Sequence, residues 1–152
     1  MEMFDLLPVA SCLNGSYLCM HGGLSSDLTS FNRLNRINRK REPEGEDMLL
    51  DLLWADPAED ADARGNYYAL NPDRGCSVFF GEKPVRYILE REGLTGIVRA
   101  HQCVRQGYQH HYFFGKKQEA PVTTLFSAPN YCGKGNLAAY ALTHGDEFDI
   151  LQ

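Results

Sequence analysis

The sequence lacks several features that would each place it in a particular class of protein. Its five cysteines are scattered and form no CxxC pair, which argues against a zinc knuckle or a disulfide framework and favours reduced thiols. No apolar run approaches the roughly 20 residues that a membrane span requires, and the first residues lack the basic-then-apolar order of a secretory signal. We therefore expect a soluble cytoplasmic protein, with a nuclear location as the alternative.

Positive charge is also scarce. The chain has 15 Lys and Arg against 20 Asp and Glu, a formal net charge of −5. Surfaces that bind nucleic acids or anionic membranes normally carry a basic stripe, and the basic cluster at residues 36–41 runs directly into the acidic residues 42–47. We interpret that segment as a solvent-exposed loop of mixed charge and expect neither a nucleic-acid nor a membrane partner.

What the chain does contain is typical of one small globular unit. At 152 residues, with 43% hydrophobic and 23% charged residues, it is long enough to bury roughly two thirds of its unfolded surface. Asn14-Gly15 is a strong hairpin signal, which predicts that the runs ending at Cys12 and starting at Tyr17 pair antiparallel. A second hairpin is predicted around residues 143–146.

Two helices are predicted from capping and turn residues. Asp47 has the chemistry of an N-cap for a short helix through Leu53. A second helix has Pro84 in its first turn and ends at Gly93. Between these helices, Ala58–Asp73 is acidic and without periodicity, which predicts a long surface loop. The content is therefore β-rich with one good helix and one or two short ones.

Three short apolar strands are predicted to end at polar residues. The first ends at His21-Gly22-Gly23, the second at His101-Gln102 and the third at Ser127–Tyr131. Strands of one sheet that end together bring their loops to one cleft, where two neutral imidazoles could bind a transition metal such as Zn, Mn or Fe. Two ligands are too few for a tight site, and spacing indicates no third.

Other candidate site residues keep an ordinary alternative. Arg74 could bind a phosphate through its guanidinium fork or be a plain loop arginine. Tyr131 could line a cleft or be a core aromatic. The remaining histidines lie in polar or turn contexts and are predicted to be surface residues: His110, His111 and His144.

Five segments of the chain together resemble the PPP family of serine/threonine protein phosphatases in their order and approximate spacing. The resemblance covers nearly the whole chain, from Phe4 to about Leu142, and leaves the subfamily open. The segments are His21-Gly22-Gly23-Leu24, Leu53-Trp54-Ala55-Asp56-Pro57, Arg74-Gly75, Arg99-Ala100-His101-Gln102 and Ser127-Ala128-Pro129-Asn130-Tyr131.

The resemblance implies an α+β fold, the calcineurin-like metallophosphoesterase β-sandwich of two mixed sheets with flanking helices. It implies that His21 and His101 are ligands of the second metal of a dinuclear Mn, Fe or Zn centre. It also implies that Arg74 holds the substrate phosphate and that Tyr131 lines the substrate cleft. In the family two metal ions activate a water that attacks the phosphorus, and the implied partners are phosphoserine and phosphothreonine proteins and a regulatory subunit.

The departures from the family pattern are as informative as the matches. The motifs GDxHG, GDxVDRG and GNHE do not occur in this sequence. In the family they supply the first metal's ligands, the bridging aspartate, an asparagine ligand of the second metal, and the acid histidine with its aspartate partner. We therefore expect residues 1–152 to be a single partial domain, the C-terminal half of a catalytic domain, mostly β, with at most a partial second-metal site and no catalytic acid.

Three functional readings follow. In the first, the chain is part of a serine/threonine phosphatase whose activity belongs to the complete domain. In the second, it is a non-catalytic binding or regulatory module derived from such an enzyme. The third is a single-metal hydrolase built on His21 and His101, against which the missing third ligand and missing general acid argue.

Overall fold

The computed structural model describes residues 3–58, 67–113, 120–145 and 147–152. The helices are α1 (Phe31–Leu34), α2 (Met48–Trp54) and α3 (Glu82–Glu92), with single 3₁₀ turns at Phe4–Leu6 and Tyr131–Gly133. The strands are β1 (Ala10–Leu13), β2 (Tyr17–Met20), β3 (Asp56–Pro57), β4 (Tyr68–Leu70), β5 (Val78–Phe80), β6 (Gly96–Arg99), β7 (Tyr108–His111), β8 (Val122–Leu125), β9 (Tyr140–His144) and β10 (Glu147–Leu151).

The main sheet has five strands in the order β1-β2-β6-β8-β7. Its three central strands, β2, β6 and β8, run parallel, while β1 and β7 pair antiparallel at the two edges. Met20 lies opposite Arg99, and Arg99 lies opposite Thr124. The carboxyl ends of the three parallel strands therefore reach the same edge of the sheet at the same level.

The predicted first hairpin is confirmed. Strand β1 pairs with β2, with Leu13 opposite Tyr17. Asn14 and Gly15 both have left-handed backbone conformations, with φ of 52° and 73°. This combination is typical of the tight turn that matches the twist of an antiparallel pair.

Both predicted helices are confirmed. The Asp47 side chain accepts a hydrogen bond from the Leu50 backbone N–H at 2.9 Å and so caps α2. Helix α3 ends at Gly93, which has φ of 68° and donates its N–H to the Leu89 carbonyl, a left-handed cap that glycine adopts without a steric cost. Within the described part of the chain, no helix has the length and apolar character needed to cross a membrane.

The core lies between one face of the main sheet and the layer formed by α2, α3 and the second sheet. Alternate residues of the parallel strands supply the sheet side, since successive side chains of a strand point to opposite faces. The buried apolar cluster comprises Leu18, Met20, Leu24, Leu28, Met48, Leu52, Ala55, Phe80, Val85, Ile88, Ile97, Phe113 and Val122. Arg99 and Thr124 lie on this same face of β6 and β8, so they are polar groups on the core side.

A second, three-stranded sheet, β3-β5-β4, corrects one prediction. Residues 67–73 of the expected surface loop Ala58–Asp73 include strand β4, which pairs antiparallel with β5. The Tyr68 hydroxyl donates to the Ser25 carbonyl at 2.7 Å, an anchor that sequence periodicity does not reveal. Residues 59–66 of that predicted loop lie outside the described residues.

The predicted C-terminal hairpin is confirmed, and its strands run further into the predicted turn than expected. Strands β9 and β10 pair with His144 opposite Glu147, so Thr143 and His144 belong to a strand rather than to the turn. Asp146, within the predicted turn, lies outside the described residues. Phe148 of this hairpin meets Tyr17 edge to face, with ring centroids 5.0 Å apart, on the face of the main sheet opposite the core.

Gly22 and Gly23 allow the chain after β2 to approach helix α2 closely. Neither has a positive φ, but a Cβ atom on Gly22 would lie 2.5 Å from the backbone of Leu53 and Trp54 in α2. A Cβ atom on Gly23 would lie 2.1 Å from the Phe80 ring. The two glycine N–H groups donate to the α2 carbonyls of residues 52 and 51, so the strand end packs directly against the helix end.

This close approach makes a stability prediction. The Gly22→Ala variant should lose about 3 kcal/mol of unfolding free energy, because the added methyl group overpacks against immobile backbone. In the matched control Gly45→Ala, a Cβ atom meets nothing within 4 Å, and the loss should be about 1 kcal/mol from left-handed strain alone. Urea unfolding measures both; equal midpoints for the two variants would contradict the packing of β2 against α2.

Candidate functional site

Two histidines meet at the edge where the parallel strands end. His21 follows β2 and His101 lies two residues after β6, and the His21 Nε2 and His101 Nδ1 atoms are 3.1 Å apart. The ring centroids are 4.9 Å apart with an interplanar angle of 66°. The convergence expected from the three polar strand ends is therefore present for the two histidines.

His101 is held in an uncommon backbone conformation. Its φ of 65° lies in the left-handed region, where a non-glycine residue is strained. The peptide groups on either side of it are fixed: the Ala100 N–H donates to the His21 carbonyl at 3.1 Å, and the Gln102 N–H donates to the Ala100 carbonyl at 2.7 Å. The strain is thus the consequence of tying the end of β6 to the end of β2.

Trp54 forms a wall beside His101. The two rings meet edge to face, with centroids 5.3 Å apart and an interplanar angle of 80°. Because Trp54 is the last residue of α2, the packing of Gly22 against that helix end also fixes the backbone from which the ring extends. The sequence placed Trp54 inside a recognisable segment but gave it no role; its position at the end of an apolar helix, just before a proline turn, was the available signal.

Both imidazoles are kept neutral by their surroundings. Partial burial lowers the pKa of His21, and the positive charges of Arg99 and Arg74 lower it further. Burial, followed by the charge of Arg74, lowers the pKa of His101 to about 4. Neutral imidazole is the form that binds a metal ion.

The histidine pair suits two ligand positions of one metal ion. Two nitrogens bound at about 2.0–2.1 Å with angles of 90–110° lie roughly 3–3.4 Å apart, and the separation of 3.1 Å between the two ring atoms falls in that range. The described residues contain no group of three or more His, Cys, Asp or Glu side chains that could hold a metal. The buried His101 Nε2 atom also has no hydrogen-bond partner among them, although a ligating histidine normally has one.

Arg74 is fixed by a buried carboxylate. Its Nε donates to Asp56 Oδ2 at 2.8 Å and its Nη2 to Asp56 Oδ1 at 3.3 Å. Asn71 Nδ2 donates to the same carboxylate at 3.0 Å. No hydrogen bond to the remaining Nη1 group of Arg74 occurs within the described residues, which leaves that donor for an anion in the cleft. Arg74 lies in a turn, so its pairing with Asp56 is compatible with both interpretations made from the sequence, a phosphate-binding arginine and an ordinary loop arginine.

Arg99 is the largest fully buried side chain, with 1% of its surface exposed. All three of its nitrogens are satisfied, which a buried charge requires. Its Nε donates to the Gly22 carbonyl at 2.6 Å, Nη1 to Gln102 Oε1 at 2.6 Å and Thr124 Oγ1 at 3.3 Å, and Nη2 to the Ala55 carbonyl at 3.1 Å and Asp56 Oδ1 at 3.0 Å. Sequence reasoning included Arg99 and Asp56 in the family-like segments but gave neither a role. For Arg99 the available signal was a charged residue in an otherwise apolar strand.

The two arginines determine the ionisation of Asp56. Burial alone would raise the pKa of this carboxyl, but the Arg74 hydrogen bond and the charge of Arg99 outweigh burial and hold it below its usual range. Burial lowers the pKa of Arg99 to about 10, although the negative charge of Asp56 raises it in part. At neutral pH the cluster therefore contains two guanidinium groups and one carboxylate.

All four residues predicted for the site line one cleft of about 890 Å³: His21, His101, Arg74 and Tyr131. Tyr131 is 47% exposed, so the alternative of a core aromatic is wrong. It meets Phe126 edge to face at 5.3 Å, and its N–H donates to Asn136 Oδ1 at 2.8 Å. The roles that the resemblance assigns to these four residues stay predictions.

One prediction about the remaining histidines is wrong. His111 is buried, with 6% of its surface exposed, and its Nε2 lies 2.8 Å from Thr124 Oγ1. It pairs on the core side of β7, where the alternation of the strand places it, and so extends the Arg99 network. His110 is half-buried against Thr123, whereas the His144 side chain is 67% exposed as expected.

Comparison with known proteins agrees with this geometry. The family model described as calcineurin-like phosphoesterase matches residues 1–105. Among solved structures, the chain is similar to a protein serine/threonine phosphatase from Saccharomyces cerevisiae that has similarity to human phosphatase PP5, with 34% sequence identity and a TM-score of 0.75. The match covers 91% of this chain and 40% of the yeast chain, so the chain spans well under half the length of that relative.

The Asp56 cluster predicts a specific dependence of stability on pH. Because the folded-state pKa of Asp56 is depressed below its ordinary 3.8, its contribution is fully present above about pH 4 and is lost as the pH falls further. The Asp56→Asn variant should lose about 3 kcal/mol at pH 7, since two guanidinium groups then face each other. Its deficit should shrink as the pH falls below about 4, because the unfolded wild-type chain then binds a proton at Asp56 that the folded state still excludes.

Urea unfolding at pH 7 and pH 3 measures this difference. The control is Asp149→Asn, because the Asp149 side chain is 75% exposed and its loss should change stability little at either pH. A deficit for Asp56→Asn that is the same at both pH values would show that the carboxylate charge is not what holds the two arginines.

Proposed function

Because the chain belongs to the calcineurin-like phosphoesterase family, we propose that it forms the substrate-side part of a protein serine/threonine phosphatase. The observation that carries this proposal is the placement of a neutral histidine pair, 3.1 Å apart, beside a carboxylate-held arginine in one cleft. The similarity to the yeast phosphatase supports the class of substrate, a phosphorylated serine or threonine side chain of a protein.

In this proposal each cleft residue has a distinct task. His21 and His101 hold one metal ion through Nε2 and Nδ1, and Arg74 binds the phosphate through the face of its guanidinium group that Asp56 leaves free. Tyr131 and Trp54 bound the cleft on either side and limit how a phosphorylated segment can enter. When bound, the divalent metal ions of the family, here proposed as Mn, Fe or Zn, supply Lewis-acid activation of phosphate and water.

The chain's own residues prepare this site without completing it. Arg74 places positive charge in the cleft where a phosphate dianion would sit, and preorganised charge of this kind is a large part of phosphoryl-transfer catalysis. The described residues that line the cleft include no carboxylate, so none can act as a carboxylate base or as a bridging ligand between two metals. We propose that hydrolysis requires groups other than these, and that a regulatory subunit and a cytoplasmic setting accompany the complete enzyme.

The alternative hypothesis, a non-catalytic binding module, uses the same cleft and the same arginine. The described residues hold no cluster of three metal-ligating side chains, while Arg74 and its support by Asp56 are intact. Such a cleft can bind a phosphorylated segment without cleaving it.

Metal titration of the 152-residue chain tests the histidine pair. We expect weak Zn²⁺ binding that His101→Ala lowers at least 10-fold, the order of loss seen when a metal site loses a supporting group. The control His144→Ala removes an exposed histidine of the β9–β10 hairpin and should leave binding unchanged. Isothermal titration calorimetry measures the Zn²⁺ affinity of the wild-type chain and the two variants. Equal affinities for all three would contradict the assignment of His21 and His101 as metal ligands.

A phosphate-release assay on a phosphoserine peptide with Mn²⁺ tests whether the 152-residue chain is active by itself. We expect no release above that of the metal alone, because the described residues of the cleft supply neither a third metal ligand nor a general acid. Release that His101→Ala abolishes would show that the chain alone is an active hydrolase and that the proposed incompleteness is wrong.

A further inference from the structure

The cleft that holds the histidine pair has a charge opposite to that of the chain. Three cationic side chains line it, Arg74, Arg105 and Lys134, and no Asp or Glu among the described residues does. The chain as a whole has a formal net charge of −5. A concave site lined by one sign of charge concentrates ligands of the opposite sign, so this cleft is suited to anions.

The three cations are not equivalent. Arg74 shares Asp56 with Arg99, and two guanidinium groups against one carboxylate leave that cluster with an excess of positive charge. Arg105 and Lys134 are exposed, and neither forms an ion pair with any carboxylate of the described residues. We call these two residues the rim cations.

The rim cations are attached to well-defined backbone. The Arg105 carbonyl accepts from the Leu137 N–H at 2.9 Å, and the Lys134 N–H donates to the Tyr131 carbonyl at 3.1 Å. Asn136 closes the loop that contains Lys134, because its Oδ1 accepts from the Tyr131 N–H at 2.8 Å. Both side chains therefore extend from fixed points beside the cleft that contains Arg74.

We propose that the rim cations bind acidic side chains that flank a phosphorylated serine or threonine, so that the cleft selects phosphosites in acidic sequence. This rests on the proposed function, because it takes Arg74 as the ligand of the phosphate. Each exposed ion pair contributes little affinity by itself. When the phosphate already anchors the peptide, however, both ion pairs stabilise the same complex and their contributions combine. An extended nucleic acid is disfavoured, since its binding surface normally carries a continuous basic stripe.

Fluorescence anisotropy with the 152-residue chain tests the proposal. Three labelled peptides of equal length are compared in EDTA, so that no hydrolysis occurs: phosphoserine flanked by glutamates, phosphoserine flanked by glutamines, and unphosphorylated serine flanked by glutamates. We expect the first to bind about 10-fold more tightly than the second at low salt, and the preference should decrease as salt is raised.

A pair of double variants with the same change in net charge assigns the effect to the cleft. Arg105→Glu/Lys134→Glu should abolish the acidic preference. The control Arg36→Glu/Lys40→Glu changes two exposed cations that do not line the cleft and should retain most of it. Equal losses in the two double variants would mean that only net charge matters, which overturns the proposal.

Two further outcomes separate this proposal from the one on which it rests. If phosphorylation improves binding and Arg74→Ala removes that gain, but glutamates and glutamines bind alike, the phosphate site stands and the rim cations have no role. If phosphorylation makes no difference in any protein, the proposed function itself is wrong.

Displacement of the acidic phosphopeptide by an oligonucleotide of equal charge at equal concentration would identify a general polyanion site and also overturn the selection of phosphosites.

Discussion

The buried ion pair between Arg99 and Asp56 is the interaction on which the rest of the site depends. Transferring a guanidinium group from water into a protein interior costs several kcal/mol unless every donor is satisfied. Arg99 meets that requirement with acceptors from the end of β2, the start of β3, strand β8 and the segment after His101. Four separate pieces of chain must therefore lie at fixed positions around one side chain, and a shift of any one of them leaves a buried N–H donor of Arg99 without its acceptor.

Each proposed ligand is attached to that side chain by a short path. His21 precedes Gly22, whose carbonyl accepts from Arg99, and His101 precedes Gln102, whose amide oxygen does the same. Arg74 is reached through Asp56. Two imidazoles and a guanidinium group from distant parts of the sequence thus share one anchor, which helps to place the two histidine nitrogens 3.1 Å apart.

The part of this arrangement that local chemistry determines could be predicted from the sequence. Asn14-Gly15, Asp47 and Gly93 specify a turn, a cap and a stop through their own backbone preferences, and parallel strands that end in histidine predict a shared edge. The contacts of Asp56 and the burial of His111 could not be predicted, because they depend on partners far along the chain. Strand β4 could not be predicted either, because a three-residue strand is too short to show an alternation of buried and exposed residues.

The same anchor limits what structural similarity can say about catalysis. If metal binding were the force that brought His21 and His101 together, their geometry would be evidence that the site is loaded and active. Here burial of Arg99 and the close packing of Gly22 on α2 also hold the ends of β2 and β6 together, so the closeness of the two rings is a consequence of the fold as well. A chain with this network can therefore keep the shape of a phosphatase cleft under selection for folding or for phosphate binding alone. The charge of the rim, which contributes nothing to the fold, is the better indicator of what the cleft binds.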